Sequence, residues 1–436
     1  MEPASSPEVP IVNLVQIQNT LDRPGQAARR TMPPAPDDLV KSCKYIETGS
    51  CFQEEGVRCC VHGDIYSPVL ITAAEMRNGV GYDLIVQRRR EHFERVNGLR
   101  EGPTGSCLGC GHLKEKKFKD VNFEFLGGER MPGGMNIQHY TKCNERCTYC
   151  QFTVDDNFVG PQYEILGYLE EFRKRGKLRG GNWIDFSGGE PATLKNFDEI
   201  LNYFLSNKMG TVVVYSNSTV YKQSIYDALK KNQIILTTSL DTGLPSTYKK
   251  LRGLDFYSKV VGNLIRYRNS GTSGLWLKYV ICDENRTEDD LWSFITAVLA
   301  IRPNRVMICP HFRYGDEGIS DETVAFAAQL WYLLEKHYGF TPGDYTAAFK
   351  GPKWDKYRAD LCSTLEALKV KRPLESESRL RERGMISDAR NRLLAARDRL
   401  LRSSIRQRIL PEGSKRMKVA SITWENTFGR LPFLRY

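Results

Sequence analysis

The chain has 436 residues, of which 41% are hydrophobic, 26% charged and 11% aromatic. That is the makeup of a globular protein, too long for one small domain and unlike a collagenous or disordered chain. No apolar run reaches the length needed to cross a bilayer. The amino terminus MEPASSPEVP lacks the basic start and apolar stretch of a signal peptide, so a cytoplasmic protein is expected. In that compartment twelve cysteines read as metal ligands more readily than as disulfides, and nine of them fall between Cys43 and Cys150. The net charge of +11 is carried by the carboxyl-terminal part, where residues 351–436 hold 21 Lys/Arg against 10 Asp/Glu. A basic tail suits RNA, DNA, an anionic membrane surface or an acidic partner, and equally a solvated helical face. It lacks the interleaved aromatics of a single-strand platform, which disfavours nucleic acid.

Residues 1–38, rich in Pro, Ala, Ser and charge, read as a flexible lead-in with one short strand at 11–17. Residues 39–128 form a cysteine-rich metal-binding module. It carries many turn signals and one helix, 82–99, with QRRREHFERV on its wet side. Its periodic apolar positions are too few for a large core, a shortage that a bound metal offsets. From 129 to 318 the pattern alternates between strand and helix. Strands are predicted at 135–138, 183–186, 211–215, 234–240, 275–281 and 305–309, and helices at 163–173, 197–207, 224–231 and 259–269. Six strands separated by helices make a parallel α/β sheet, with ligand sites at the carboxyl ends of the strands. Residues 319–436 read as a helical, basic extension. A helix at 323–338 packs on the core, and an Arg-rich helix at 379–408 shows a narrow apolar stripe (Ile386, Ala389, Leu393, Ala396, Leu400) suited to docking.

Cys143, Cys147 and Cys150 follow the first core strand at C-x3-C-x2-C spacing. Three thiolates so spaced wrap one corner of a cubane iron–sulfur cluster, which commonly takes four cysteines. With only three, one iron stays open, the general device of a catalytic metal. Zinc is the plainer alternative, because C-x2-C is also a zinc half-site. The second core strand closes on Phe186-Ser-Gly-Gly-Glu-Pro191. Gly188 and Gly189 admit a close backbone approach, and Glu190 adds a fixed acceptor. Alone, such a run is a turn; after a strand and soon after the cysteines, it points to a cofactor.

Together these residues resemble the radical S-adenosylmethionine (SAM) superfamily. The resemblance implies a partial (β/α)6 barrel, here with a small cysteine-rich amino-terminal module and a helical carboxyl-terminal extension. It implies a [4Fe–4S] cluster on Cys143, Cys147 and Cys150, its open iron chelated by SAM, with Tyr149 near the adenine. Gly188, Gly189 and Glu190 would meet the SAM amino group. Tyr215-Ser216-Asn217 ends the third strand where members often read Ser-Asn-Gly, with Ser218 replacing the glycine. Ser216 and Asn217, Ser239 and Asp241 near the ribose, and Lys278 near the carboxylate are implied SAM contacts; each reads equally as an ordinary polar strand end. His311 and Arg313 either face substrate or merely pack.

The implied chemistry is reductive cleavage of SAM to a 5′-deoxyadenosyl radical that abstracts hydrogen from substrate, with a flavodoxin- or ferredoxin-type reductant. Cys59-Cys60 and Cys107-Leu-Gly-Cys110, with Cys43 and Cys51 upstream, resemble the amino-terminal module of one bacterial subgroup. An auxiliary iron–sulfur cluster is the preferred occupant. Zinc is the alternative, since His62 and His112 stand beside these thiols. Cys282, Cys309 and Cys362 read as buried thiols. An auxiliary cluster can take up the electron left after hydrogen abstraction, which favours oxidation, or else epimerisation, of a small molecule or glycan intermediate. Peptide maturation, RNA modification and a non-catalytic binding role are the alternatives, the last opposed by intact cysteines and an intact GGEP.

Overall fold

The computed structural model describes residues 34–62, 65–79, 82–121, 134–174, 183–311, 318–339, 341–349 and 351–370. The expected strand at 11–17, Arg313 and the Arg-rich helix at 379–408 lie outside them. The amino-terminal part runs β1 (Leu39–Ser42), α1 (Lys44–Thr48), β2 (Gly49–Gln53), β3 (Gly56–Arg58), β4 (Val61–His62), β5 (Ile65–Tyr66), β6 (Val69–Thr72), α2 (Ala73–Arg77), α3 (Tyr82–Val96) and β7 (Lys114–Lys117). The central part continues through β8 (Gly134–Gln138), α4 (Gln151–Val154), α5 (Ile165–Lys174), β9 (Trp183–Phe186), α6 (Phe197–Ser206), β10 (Thr211–Tyr215), α7 (Gln223–Lys230) and β11 (Ile234–Ser239). It ends with α8 (Pro245–Arg252), α9 (Tyr257–Arg268), β12 (Leu275–Ile281), α10 (Glu288–Ile301) and β13 (Arg305–Pro310), followed by α11 (Asp321–Tyr338), β14 (Gly343–Asp344) and α12 (Pro352–Val370).

Strands β8 to β13 are the six expected strands, and they lie side by side in sequence order, all parallel. Their β-branched cores, such as Val212, Val213 and Val214, are fully buried, as a sheet covered on its faces requires. The intervening helices supply the cover: Phe197, Ile200, Leu201 and Phe204 of α6 are all buried. This is the expected partial barrel of six parallel strands, built as a mixed α/β fold. Helix α8 was not among the expected helices, because PSTYKKLR is short and mostly polar. Its signal is instead the bracketing pair, Pro245 in the first turn and Gly253 just past the end at φ +77°.

The amino-terminal strands do not make a separate body. Strand β2 pairs parallel with β8, setting Cys51 opposite Asn136 and Phe52 opposite Ile137. Strands β3 and β6 continue antiparallel beyond it, so among the described residues one sheet has ten strands. Phe52, Val57 and Ile71 enter the main core. A second, small cluster gathers Val40, Ile46, Phe93, Val96, Cys107 and Val121.

The expectation that QRRREHFERV is a wet face is overturned: Arg89, Glu91, His92 and Phe93 are buried, because α3 lies on β6 and α1. Glu91 is neutralised there by Arg88, Arg95 and Arg100. Cys282 and Cys309 are buried, but Cys362 is exposed. Helix α12 buries Trp354, Tyr357 and Leu361, and one residue beyond Leu361 the helix has turned by about 100°. Among the described residues no helix is long and apolar enough to cross a membrane.

Phe186, fully buried and stacked on Phe197 at 5.4 Å, anchors the strand that delivers the GGEP turn. Phe186→Ala is expected to cost about 3–5 kcal/mol of stability, read by urea unfolding.

Candidate functional site

The end of β9 is laced to the chain that leads into the cysteine loop. The N–H groups of Ser187, Gly189 and Glu190 donate to the carbonyls of Ile137, Tyr140 and Lys142 at 3.0, 3.3 and 3.0 Å. A Cβ on Gly189 would stand 1.9 Å from the Lys142 carbonyl oxygen, and Gly188 sits at φ +102° with the Tyr140 carbonyl 2.6 Å from its missing Cβ. The close approach these glycines make is to the chain itself, and it fixes where the loop begins.

Glu190 is 1% exposed. Its carboxylate accepts hydrogen bonds from the Asn217 N–H (2.6 Å), the Ser216 hydroxyl (2.7 Å) and the Ala192 N–H (3.0 Å). Burial pushes this carboxyl up to about 7, and the three donors pull against that shift. Glu190, Ser216 and Asn217, read from sequence as separate cofactor contacts, therefore form one tie between the ends of β9 and β10.

Two of the three cysteine sulfurs are met by donors. Cys143 Sγ accepts the Glu145 N–H at 3.4 Å and faces Asn217 Nδ2 at 3.9 Å. Asn217 also holds Asn144 at 2.8 Å. The Cys150 N–H closes a tight turn on the Cys147 carbonyl at 3.0 Å. Cys147 Sγ accepts from Arg252 Nη1 at 3.3 Å. Burial pushes the free thiols of Cys143 and Cys147 up to about 12, so a thiolate there needs the compensating charge that a metal provides.

Arg252, 5% exposed, organises the mouth of the sheet. Its guanidinium bonds the Asp241 carboxylate and the Ser239 carbonyl, and lies 3.5 Å from Glu145 Oε2. Asp241 in turn accepts the Tyr149 hydroxyl at 2.6 Å and the Val280 N–H at 2.9 Å. Glu145 accepts the Tyr248 hydroxyl at 2.6 Å. Burial opposes the charge of Arg252, yet Asp241 and its other anionic neighbours hold it well above the ordinary arginine range. The backbone of the loop docks on the same helix end, through Arg146 N–H to Arg252 O and Thr148 N–H to Leu251 O.

A polar set lies on the core strands beside this network. Asp185 accepts the Trp183 indole N–H at 2.8 Å and bonds the Tyr215 hydroxyl; burial pushes its carboxyl up to about 6. Lys278, paired in register with Ser239, places its ammonium 4.4 Å over the Tyr345 ring. Ser187 bridges Asn136 and Gln138. His311 is tied by its N–H to the Ile281 carbonyl at 3.1 Å.

Ser218, which departs from the glycine of the resemblance, sits at φ +57°, where glycine is free of strain; its hydroxyl is bonded to Thr238 Oγ1 at 2.6 Å. Sequence reasoning missed Arg252, Glu145, Asp185 and Tyr345. Pro245 and Gly253 could have disclosed the helix that carries Arg252, but no local pattern points that side chain at Cys147.

Residues 137–295 match the family model of the radical SAM superfamily. The chain carries a radical SAM domain. The match runs from β8 into α10, so it takes in the three cysteines, the GGEP turn, Asp241 and Arg252. The cofactors of a radical SAM domain are a [4Fe–4S] cluster and SAM. Among the described residues no three His, Cys, Asp or Glu crowd closely enough to hold a single metal ion. Three thiols with N–H and guanidinium donors aimed at two of them nonetheless suit the radical SAM cluster, an anionic group larger than one ion.

GTP 3′,8-cyclase of Clostridium botulinum strain Okra is 28% identical over 194 residues, covering 42% of this chain and 60% of that protein. GTP 3′,8-cyclase of Photorhabdus laumondii is 23% identical over 248 residues, 52% of this chain and 73% of its own. The chain thus spans about three-fifths of the first relative's length. Streptococcus suis SuiB bound to precursor peptide SuiA aligns at 13% identity with a TM-score of 0.43, over 64% of this chain and 56% of that one. Native anSMEcpe with bound AdoMet and Cp18Cys peptide aligns at 16% identity with a TM-score of 0.40, over 49% and 63%.

Replacing Arg252 by Met would leave Glu145 and Asp241 buried without their cation. A loss of about 3–5 kcal/mol in urea unfolding is expected, together with lower iron content after anaerobic purification. Ser218→Gly should stay within about 1 kcal/mol of the parent, because relief at a positive φ offsets the lost bond to Thr238.

Proposed function

We propose that the chain is a radical SAM enzyme that oxidises or epimerises a polar small molecule or glycan intermediate. The observation that carries this reading is the convergence at the carboxyl ends of β8 to β12. The cysteine loop, the buried Arg252 network and the Asp185–Tyr215–Lys278–Tyr345 set all occur there. When bound, the cluster and SAM supply a 5′-deoxyadenosyl radical by one-electron reductive cleavage.

In this reading Cys143, Cys147 and Cys150 hold the cluster, and Arg252 and Asn217 point hydrogen-bond donors at two of its sulfur ligands. Tyr149, Asp241, Ser239 and Lys278, with Gly188, Gly189, Glu190, Ser216 and Asn217, shape the SAM rim. Asp185 and Lys278 bring opposite charges to the substrate side, which suits a hydroxyl-bearing polar molecule better than an apolar one. The Asp185 carboxyl, at about 6, would receive the hydroxyl proton of an alcohol undergoing oxidation, and the electron left after hydrogen abstraction would pass to an auxiliary iron–sulfur cluster on the amino-terminal cysteines. The relatives named GTP 3′,8-cyclase act, by that name, on a nucleotide, which is in keeping with a small-molecule substrate. The enzyme works in the cytoplasm with a flavodoxin- or ferredoxin-type reductant. Residues 39–128 serve it as a cysteine-rich module, 129–318 as the catalytic core and 319–436 as a helical extension.

Anaerobically reconstituted protein, reduced with dithionite and given SAM, should release 5′-deoxyadenosine, and Cys147→Ala should abolish that release. Undiminished release from the variant would overturn the reading. Protonation of Asp185 should lower substrate-stimulated 5′-deoxyadenosine formation as pH falls through about 6. Asp185→Asn should flatten this limb without changing SAM cleavage in the absence of substrate.

A further inference from the structure

Five thiols of the amino-terminal part, those of Cys43, Cys59, Cys60, Cys107 and Cys110, line one small cavity together with Ser67. Four are those read from sequence as a metal set. Cys43 joins them from the cap of α1, whereas Cys51, its upstream companion in sequence, is not among the lining residues. Ser67 is 1% exposed and accepts the N–H groups of both Cys59 and Cys60, at 3.0 and 3.2 Å, pinning that pair against the cavity.

The local chemistry repeats that of the radical SAM loop. In Cys107-Leu-Gly-Cys110 the second cysteine's N–H bonds the first cysteine's carbonyl at 3.1 Å; Cys147 and Cys150 share that bond at 3.0 Å. Cys110 Sγ accepts the N–H two residues on, from His112, at 3.4 Å, as Cys143 Sγ accepts that of Glu145 at 3.4 Å. The Cys43 thiol likewise receives the N–H groups of Tyr45 and Ile46. Donors fixed on sulfur in this way stabilise thiolates.

A buried cation completes the parallel. Arg89 is 3% exposed and bonds the carbonyls of Glu47 and Gly49, the Ser50 hydroxyl and the Cys59 thiol. Among the described residues it has no carboxylate within ion-pair distance. A guanidinium so enclosed needs an anion, and the ionisable groups beside it are the thiols of Cys59, which lines the cavity, and Cys51.

We propose that this cavity holds an auxiliary [4Fe–4S] cluster, with Cys43, Cys107, Cys110 and one of the Cys59–Cys60 pair as ligands and Arg89 as its counter-charge. Cysteines around a single zinc place their sulfurs about 2.3 Å from the metal and leave no hole between them. Among the described residues no three His, Cys, Asp or Glu crowd that closely, whereas five thiols line this one cavity. The site uses none of the residues of the radical SAM loop, so its failure would leave SAM cleavage at Cys143, Cys147 and Cys150 intact and would turn the function proposed above from oxidation to redox-neutral epimerisation.

The test is iron, acid-labile sulfide and zinc content, with electron paramagnetic resonance of the reduced state, on full-length protein purified without oxygen. The parent should hold about eight iron and eight sulfide per chain, and the Cys143/Cys147/Cys150→Ala triple variant about four of each. Adding Cys43→Ala to the triple variant should remove the remaining iron, and adding Cys51→Ala should not. Arg89→Met in the triple variant should keep the cluster but move its reduction potential to more negative values, since an adjacent positive charge is lost. Four iron in the parent, zinc in the triple variant, or iron that survives Cys43→Ala would each overturn the assignment. The count on the parent stands even where a variant fails to fold.

Discussion

A guanidinium taken out of water costs several kcal/mol unless anions and hydrogen-bond acceptors meet it. Arg252 is met at both terminal nitrogens, by Asp241, Glu145, Cys147 and the Ser239 carbonyl. Because those partners come from the end of β11 and from the cysteine loop, neutralising this one cation fixes their mutual positions. Tyr149 and Tyr248 then lock the two carboxylates from outside. The balance also bears on the cluster. Two carboxylates against one guanidinium leave no spare positive charge for bare thiolates, and burial keeps Cys143 and Cys147 protonated until a metal arrives.

On the other rim of the loop the same task falls to backbone. Gly188 and Gly189 allow the end of β9 to lie directly on Tyr140–Lys142, and Glu190 extends that contact to β10. The loop is thus held from one side by close main-chain approach and from the other by a buried ion network. Both are contacts among this chain's own residues, so the protein itself fixes where the loop lies. Such pre-organisation is what radical chemistry demands, because a reactive intermediate that can reorient finds unwanted partners.

Most of the central sheet was legible in sequence because each strand is a short apolar, β-branched run followed by a helix with its own period. The boundaries at Trp183–Phe186, Thr211–Tyr215 and Leu275–Ile281 match the expected ones. The cysteine spacing and GGEP were legible for a different reason: their chemistry is local. What escaped was tertiary. Arg252 meets Cys147 across 105 positions of sequence, and no period within α8 records that contact. The charges of α3 read as solvated because in water-facing helices they are. Arg89 is buried since the carbonyls of Glu47 and Gly49, some 40 residues earlier, turn towards it. The amino-terminal strands looked too sparse to support a core, and they are; they use the main one.

Sharing that sheet has a further consequence. The pairing of β2 with β8 covers what would otherwise be the open flank of the parallel sheet. A row of unpaired N–H and C=O groups on such a flank is a template for another chain to add a strand. The amino-terminal part is therefore also a guard against self-association. Trimming it to obtain a minimal catalytic core would strip Gly134–Gln138 of its neighbour just where the chain turns into the cysteine loop, and would bare a parallel strand edge to pairing with another chain.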